Sequence, residues 1–287
     1  MSNDLVGVVG GGLMGSGIAR ACALAGTDVV LCEVDNGAAV ATQRRAEQSL
    51  ERAVARGLLS DTDREHALDR LTFTADLDSM ADRTLVIEAI VEDEATKREL
   101  FANLDKIVAG PSAALASNTS SIPVTRLASA TSRPERVLGM HFFNPVPSMR
   151  LVEVVSTPRT DAAIADRVAW YASAVLGKNV VRCADRAGFV VNALLTPYLL
   201  SAVRMLESGF ASAEDIDRGM VDGCGYPVGP LALADFVGLD TLLAASTSMY
   251  QELLDPAYAP PPLLRRMVES GLIGAKSGRG FYEHGRP

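Results

Sequence analysis

Leu5-Val6-Gly7-Val8-Val9-Gly10-Gly11-Gly12-Leu13-Met14-Gly15 stands almost at the start of the chain and decides its fold. Residues 5–10 are short, apolar and valine-rich, as a buried strand requires, and glycines end the run. Residues 12–26 then carry a helical pattern. Gly10, Gly12 and Gly15 follow the G-x-G-x-x-G spacing, with Leu13 and Met14 inside it. That spacing is a weak signal alone. Between a strand and a helix it permits a tight turn and brings a pyrophosphate against the helix N-terminus. A second buried strand is expected at 28–33, and an acidic residue at its end would hold the ribose hydroxyls. Glu33 occupies that position, with Asp35 the weaker choice. Its carboxylate would repel a 2′-phosphate, so the expected cofactor is NAD.

Outward from this unit, strands alternate with helices. Residues 36–70 form a long polar helical insertion, with Ser60 as the cap of its second helix. Strands are expected at 71–74, 84–89, 113–117, 137–143 and 151–155, and a helix at 93–108. This alternation predicts an α/β, doubly wound, Rossmann-type domain with a mostly parallel sheet over residues 1–185. After about Arg186 the pattern becomes helical. Val190, Leu194, Tyr198 and Leu206 share a stripe, Ser212 and Asp215 form a capping box, and Pro230 suits a first helical turn. Another helix is expected at 263–268, beyond a stiff Pro260-Pro261-Pro262 linker. Residues 186–287 therefore read as a smaller all-helical domain.

The 287 residues carry 27 basic and 35 acidic side chains, a formal charge of −8, which argues against general nucleic-acid binding. No apolar stretch is long enough to span a bilayer and no signal-like segment precedes the first strand, so neither a membrane partner nor export is expected and the predicted location is cytoplasmic. Cys22, Cys32, Cys183 and Cys224 form no metal-ligand spacing with the three histidines, so no metal is expected and the thiols read as reduced and buried.

Three further clusters carry chemistry. Ser117-Asn118-Thr119-Ser120-Ser121 ends a strand, where an open parallel sheet places its ligands; the same residues equally suit a helix-capping turn. His141 ends another strand and Glu153 lies in the next, beyond the Asn144-Pro145-Val146-Pro147 turn. A reversal there would bring carboxylate to imidazole, fixing the tautomer and stabilising the imidazolium, as a general base needs. His66 and His284 read as structural. Asn192 is a polar amide on an apolar helix face and needs a partner, whether substrate or backbone.

These motifs, with Gly225-Tyr226-Pro227-Val228-Gly229-Pro230 and Lys276-Ser277-Gly278-Arg279-Gly280-Phe281-Tyr282, resemble the 3-hydroxyacyl-CoA dehydrogenase family over nearly the whole chain. The resemblance implies NAD-dependent, reversible oxidation of a (3S)-3-hydroxyacyl-CoA to a 3-oxoacyl-CoA, with a short chain such as 3-hydroxybutyryl expected. It assigns catalysis to His141 as base, Glu153 as its orienting acid, and Ser120 and Asn192 as partners of the substrate. It implies cofactor contacts at Glu92, Lys97, Asn118, Ser120, Asn144 and Lys276 besides the glycine loop and Glu33. Ser49 and Arg56, seven residues apart on the insertion, match the family's CoA contacts. Arg56 departs from the lysine usual there and Glu33 from the usual aspartate. An acyl-CoA and a second copy of the chain are the partners implied. Two alternatives keep the fold: a hydroxy substrate that is carrier-protein-bound or a sugar acid, and a non-catalytic scaffold. At 287 residues, no attached hydratase domain is expected.

Overall fold

The computed structural model describes residues 4–285. The chain divides into two compact units between Asp185 and Arg186.

The first unit is built on one eight-stranded sheet. Its elements run β1 (Val6–Val9), α1 (Leu13–Leu24), β2 (Val29–Cys32), α2 (Asn36–Ala55), α3 (Asp61–Asp69), β3 (Leu71–Thr74), β4 (Leu85–Glu88), α4 (Glu94–Ile107), β5 (Ala114–Ser117), α5 (Val124–Ala128), β6 (Val137–Phe142), β7 (Leu151–Ser156), α6 (Ala162–Trp170) and β8 (Asn179–Ala184). The strand order is β3-β2-β1-β4-β5-β6-β7-β8. All neighbours are parallel except β6 and β7. The chain winds outward from β1 to β3, then returns to place β4 on the other side of β1. That reversal opens a crevice at the carboxyl ends of β1 and β4, where doubly wound sheets bind ligands.

The central strands have both faces covered, which explains their unbroken apolar runs: every residue of β1, β4, β5 and β6 is buried. Val8, Leu31, Ile87, Ala116 and Met140 from the sheet join Ile18, Cys22 and Leu50 from the helices in one core. Capping fixes where helices begin. Asp35 accepts from Ala38 N, Ser60 from Asp63 N and Asp93 from Thr96 N, so the expected start of the second insertion helix holds. The insertion forms two helices, and Arg56 is the C-cap of α2, one residue beyond the helix that carries Ser49.

The segment between β7 and the second unit gave no element from sequence. It contains α6, a π-helical turn at Tyr171–Val175, and β8. β8 is an edge strand of mixed polarity with no buried residue, so it lacks the apolar signal of the inner strands.

The second unit is helical: α7 (Val191–Glu207), α8 (Ala213–Cys224), α9 (Pro230–Val237), α10 (Leu239–Leu253) and α11 (Pro262–Glu269). Leu199, Leu200, Val203, Leu231, Leu239 and Leu264 form its core. Ser212 caps α8 through Asp215 N, and Pro230 opens α9. Pro262 belongs to α11, whose first turn its fixed φ suits, so the triple-proline run is part linker and part helix. No single helix among the described residues is long and apolar enough to cross a membrane, although the bent pair α9 and α10 passes by length and composition together.

Candidate active site

The glycine loop has the form a dinucleotide requires. Gly10 has φ +96°, and a Cβ there would lie 2.7 Å from the carbonyl oxygen of Ala89, the residue that follows β4. A Cβ on Gly15 would meet the Gly10 carbonyl oxygen at 1.8 Å, so helix and turn pack without room for a side chain. Gly12 differs, because a Cβ on it would project into open space. Gly12 also heads α1 without any side-chain cap, leaving a helix N-terminus that suits a pyrophosphate. These features fit NAD. At the end of β2, Glu33 Oε1 accepts a 2.6 Å hydrogen bond from Thr42 Oγ1.

A second wall rises from β4 and β5. Glu88 ends β4 fully buried. It accepts from Lys97 Nζ at 2.8 Å, Ile90 N at 2.8 Å and Ser117 Oγ at 2.5 Å. Lys97 also bonds Glu92 at 2.8 Å. Glu92 in turn accepts from the Thr119 hydroxyl, from Ser121 Oγ at 2.9 Å and from Ser120 N at 3.2 Å. Burial pushes the Glu92 carboxyl up, but Lys97 and the hydroxyl donors outweigh it and hold the group below the ordinary carboxylate value. This geometry gives Lys97, expected as a cofactor contact, a second task. Lys97 is only 1% exposed and its ammonium lies between two carboxylates, so it holds Glu92 in place.

The serine-rich run folds into a tight local turn. Thr119 Oγ1 accepts from Ile122 N at 2.9 Å within that turn, while α5 starts after Pro123 with no side-chain cap, so the run does not cap the helix. Asn118 Oδ1 accepts from Phe142 N at 2.9 Å and ties the end of β5 to the end of β6. Ser120 follows two residues after this tie, and its N–H donates to Glu92.

His141 and Glu153 are direct partners in the antiparallel pairing of β6 with β7. Residues directly opposite point to one face, and the side chains meet with His141 Nδ1 2.8 Å from Glu153 Oε2. Glu153 is fully buried and His141 6% exposed. The reversal that brings them together is the loop after Phe142, where Asn144 is exposed. Lys178 Nζ fastens this loop by donating to the carbonyls of Val146 at 2.6 Å and Met149 at 2.8 Å. Because a carboxylate accepts, Nδ1 carries the proton toward Glu153, and Nε2 is the nitrogen able to take one up.

The remaining candidates are carried by other elements. Ser49 accepts from the Arg20 guanidinium, and Arg56 is exposed at the end of α2. In the second unit, Asn192 lies in the first turn of α7, and Lys276 Nζ bonds Asp240 Oδ1 at 3.0 Å and Thr241 Oγ1 at 3.1 Å. His284 Nε2 lies 2.9 Å from Asp235 Oδ2, as a structural histidine should. Burial pushes the thiols of Cys22, Cys32 and Cys183 up to about 11, so they are protonated at neutral pH and unsuited to nucleophilic chemistry. Sequence reasoning missed Glu88, Thr42 and Lys178. Only Glu88 left a signal, a lone acid closing an apolar strand, since a buried carboxylate requires a partner.

Residues 5–186 match the family model of the 3-hydroxyacyl-CoA dehydrogenase NAD binding domain, and residues 188–284 that of the 3-hydroxyacyl-CoA dehydrogenase C-terminal domain. A 3-hydroxybutyryl-CoA dehydrogenase of Mycobacterium tuberculosis is 58% identical over 97% of this chain and 98% of its own length. The human mitochondrial hydroxyacyl-coenzyme A dehydrogenase is 42% identical over 97% and 90%. The crystal structure of (S)-3-hydroxybutyryl-CoA dehydrogenase PaaH1 from Ralstonia eutropha is 42% identical, covers 98% of this chain and 99% of its own, and superposes with a TM-score of 0.92. The glycine loop, the wall around Glu92 and the His141–Glu153 pair thus sit in a chain that belongs to the 3-hydroxyacyl-CoA dehydrogenase family, as an NAD-dependent oxidoreductase.

Proposed function

We propose that this protein is a cytoplasmic homodimer that oxidises short-chain (3S)-3-hydroxyacyl-CoA, such as 3-hydroxybutyryl-CoA, to the 3-oxoacyl-CoA, reversibly and with NAD. The observation that carries the chemistry is the 2.8 Å contact between His141 Nδ1 and the buried Glu153 carboxylate. His141 takes the proton of the C3 hydroxyl at Nε2 during oxidation and returns it during reduction. Glu153 fixes the ring's tautomer and orientation and stabilises the imidazolium. Ser120 hydrogen-bonds the substrate oxygen. Bound NAD supplies the acceptor for the hydride that leaves C3. Ser49 and Arg56 bind the CoA moiety. The relatives named for 3-hydroxybutyryl-CoA support a short acyl chain. Leu194, Phe210, Phe236 and Leu254 are large apolar side chains exposed on the second unit and support association of two copies.

The test follows NADH formation with a series of (3S)-3-hydroxyacyl-CoA substrates. The four-carbon substrate should turn over well, and NAD should exceed NADP in kcat/KM by at least about tenfold, since Glu33 repels the extra phosphate. Absence of turnover with every acyl-CoA, alongside activity on a carrier-bound acyl group, would move the chain to the alternative substrate class. Light scattering at micromolar concentration should give twice the chain mass, and a monomer would contradict the dimer.

A further inference from the structure

Gly11 is the position that the G-x-G-x-x-G spacing leaves free, yet this structure requires glycine there. A Cβ on Gly11 would stand 2.4 Å from Glu33 Oε1, 2.5 Å from Thr42 Cγ2 and 2.7 Å from Thr42 Oγ1. The space a side chain would fill is taken by a Glu33–Thr42 contact that the dinucleotide motif does not call for. Thr42 is fully buried on α2. Its hydroxyl accepts from Arg45 Nη2 at 2.6 Å, and Arg45 Nη2 also reaches the Gly11 carbonyl at 3.3 Å. A guanidinium has no lone pair to offer, so the hydroxyl proton of Thr42 must point to Glu33. Arg45, Thr42 and Glu33 therefore form a chain of donors with one direction, ending on Oε1 of the carboxylate.

We propose that Thr42 and Arg45 are the positioning residues that set cofactor choice in this protein, an inference that rests on the reading of Glu33 as the acid facing the adenosine ribose. Glutamate has one more rotatable bond than aspartate. Without a clamp its carboxylate would sample several positions beside the ribose. Thr42 holds one oxygen and so presents the other. Arg45 orients the clamp and also places a cation one hydroxyl away from the carboxylate. While Glu33 is present, its charge opposes a 2′-phosphate. Once Glu33 is shortened and neutral, Arg45 becomes the group a 2′-phosphate would take, because a guanidinium matches phosphate geometry.

The experiment is direct titration of the full-length protein with NADH and with NADPH, without acyl-CoA, reading nucleotide fluorescence and checking each variant's melting curve. Glu33→Gln should narrow the preference for NADH by about tenfold; an unchanged preference would show that Glu33 does not face the ribose, and the inference would fall with that reading. Thr42→Val keeps the shape and removes the hydroxyl. It should weaken NADH binding by about tenfold, while Thr42→Ser restores it to within about twofold, the scale of one hydrogen bond to a charged group. Glu33→Ser should gain NADPH binding, and Arg45→Met added to it should abolish the gain. Wild-type affinity in Thr42→Val, or NADPH binding by Glu33→Ser that ignores Arg45, would overturn the proposal while leaving the role of Glu33 intact.

Discussion

Two carboxylates, Glu88 and Glu153, are fully buried at the same end of the first unit's sheet, and their partners differ. Glu88 meets the ammonium of Lys97, itself 1% exposed, and two further donors, Ile90 N and Ser117 Oγ. Glu153 meets an imidazole at 2.8 Å. Lys97 bonds Glu88 and Glu92 together, so that cluster is a fixed wall that holds Glu92 and, through it, the Thr119 to Ser121 turn. An imidazole can both accept and donate a proton, so the same kind of buried acid there supports proton transfer. Burying a carboxylate is costly in either place. Lys97 offsets that cost for rigidity, and His141 turns it to proton transfer.

The comparison breaks first at Lys97. Lys97→Met leaves the buried Glu88 without its partner, and unfolding stability should fall by about 3–5 kcal/mol, the scale for orphaning one member of a buried pair. Denaturant titration measures it, and adding Glu88→Gln should recover much of the loss. A Lys97→Met protein as stable as the parent would erase the distinction between the two sites. Glu153→Gln sharpens it from the other side. The amide keeps the shape but lets Nδ1 accept, so the proton shifts to the nitrogen that must be basic. The expected result is a fall in kcat of about tenfold to a hundredfold with NADH affinity unchanged. Equal losses in kcat and NADH affinity would make Glu153 part of the wall instead.

The smallest effect is one of pH. Lys97 and the hydroxyl donors hold the Glu92 carboxyl below its ordinary value against the upward push of burial. A depressed folded-state value means its stabilisation is complete above the ordinary carboxylate range and is lost only as pH falls through the lowered value. NAD affinity should therefore be flat from about pH 8 to about pH 6, well above the carboxylate range. A midpoint near neutrality would place a different group in the wall.

The sequence made the inner strands plain because each is an unbroken apolar run with both faces covered. It made the His141–Glu153 contact plain because one chain reversal between two strand-like runs determines which residues oppose each other. β8 was hidden, as this edge strand mixes polar and apolar residues without regular alternation and buries none of them. The ion pairs of Lys97 with Glu88 and Glu92 were not legible, because a motif names a residue without saying which way its side chain turns. Thr42 and Arg45 left no mark, since their roles arise from α2 packing beside the glycine loop, a tertiary event that helical spacing does not encode. Arg20, which donates to Ser49 from α1, was missed for the same reason.

The account stands most directly on His141. In a single-turnover reaction with NAD and (3S)-3-hydroxybutyryl-CoA saturating, His141→Ala should form NADH more slowly than the parent by about a hundredfold or more, the scale of a positioned acid–base group. Its NADH affinity should remain that of the parent and its melting curve should still show a folded protein. A turnover close to normal under those conditions would contradict the central claim that the imidazole held by Glu153 moves the proton.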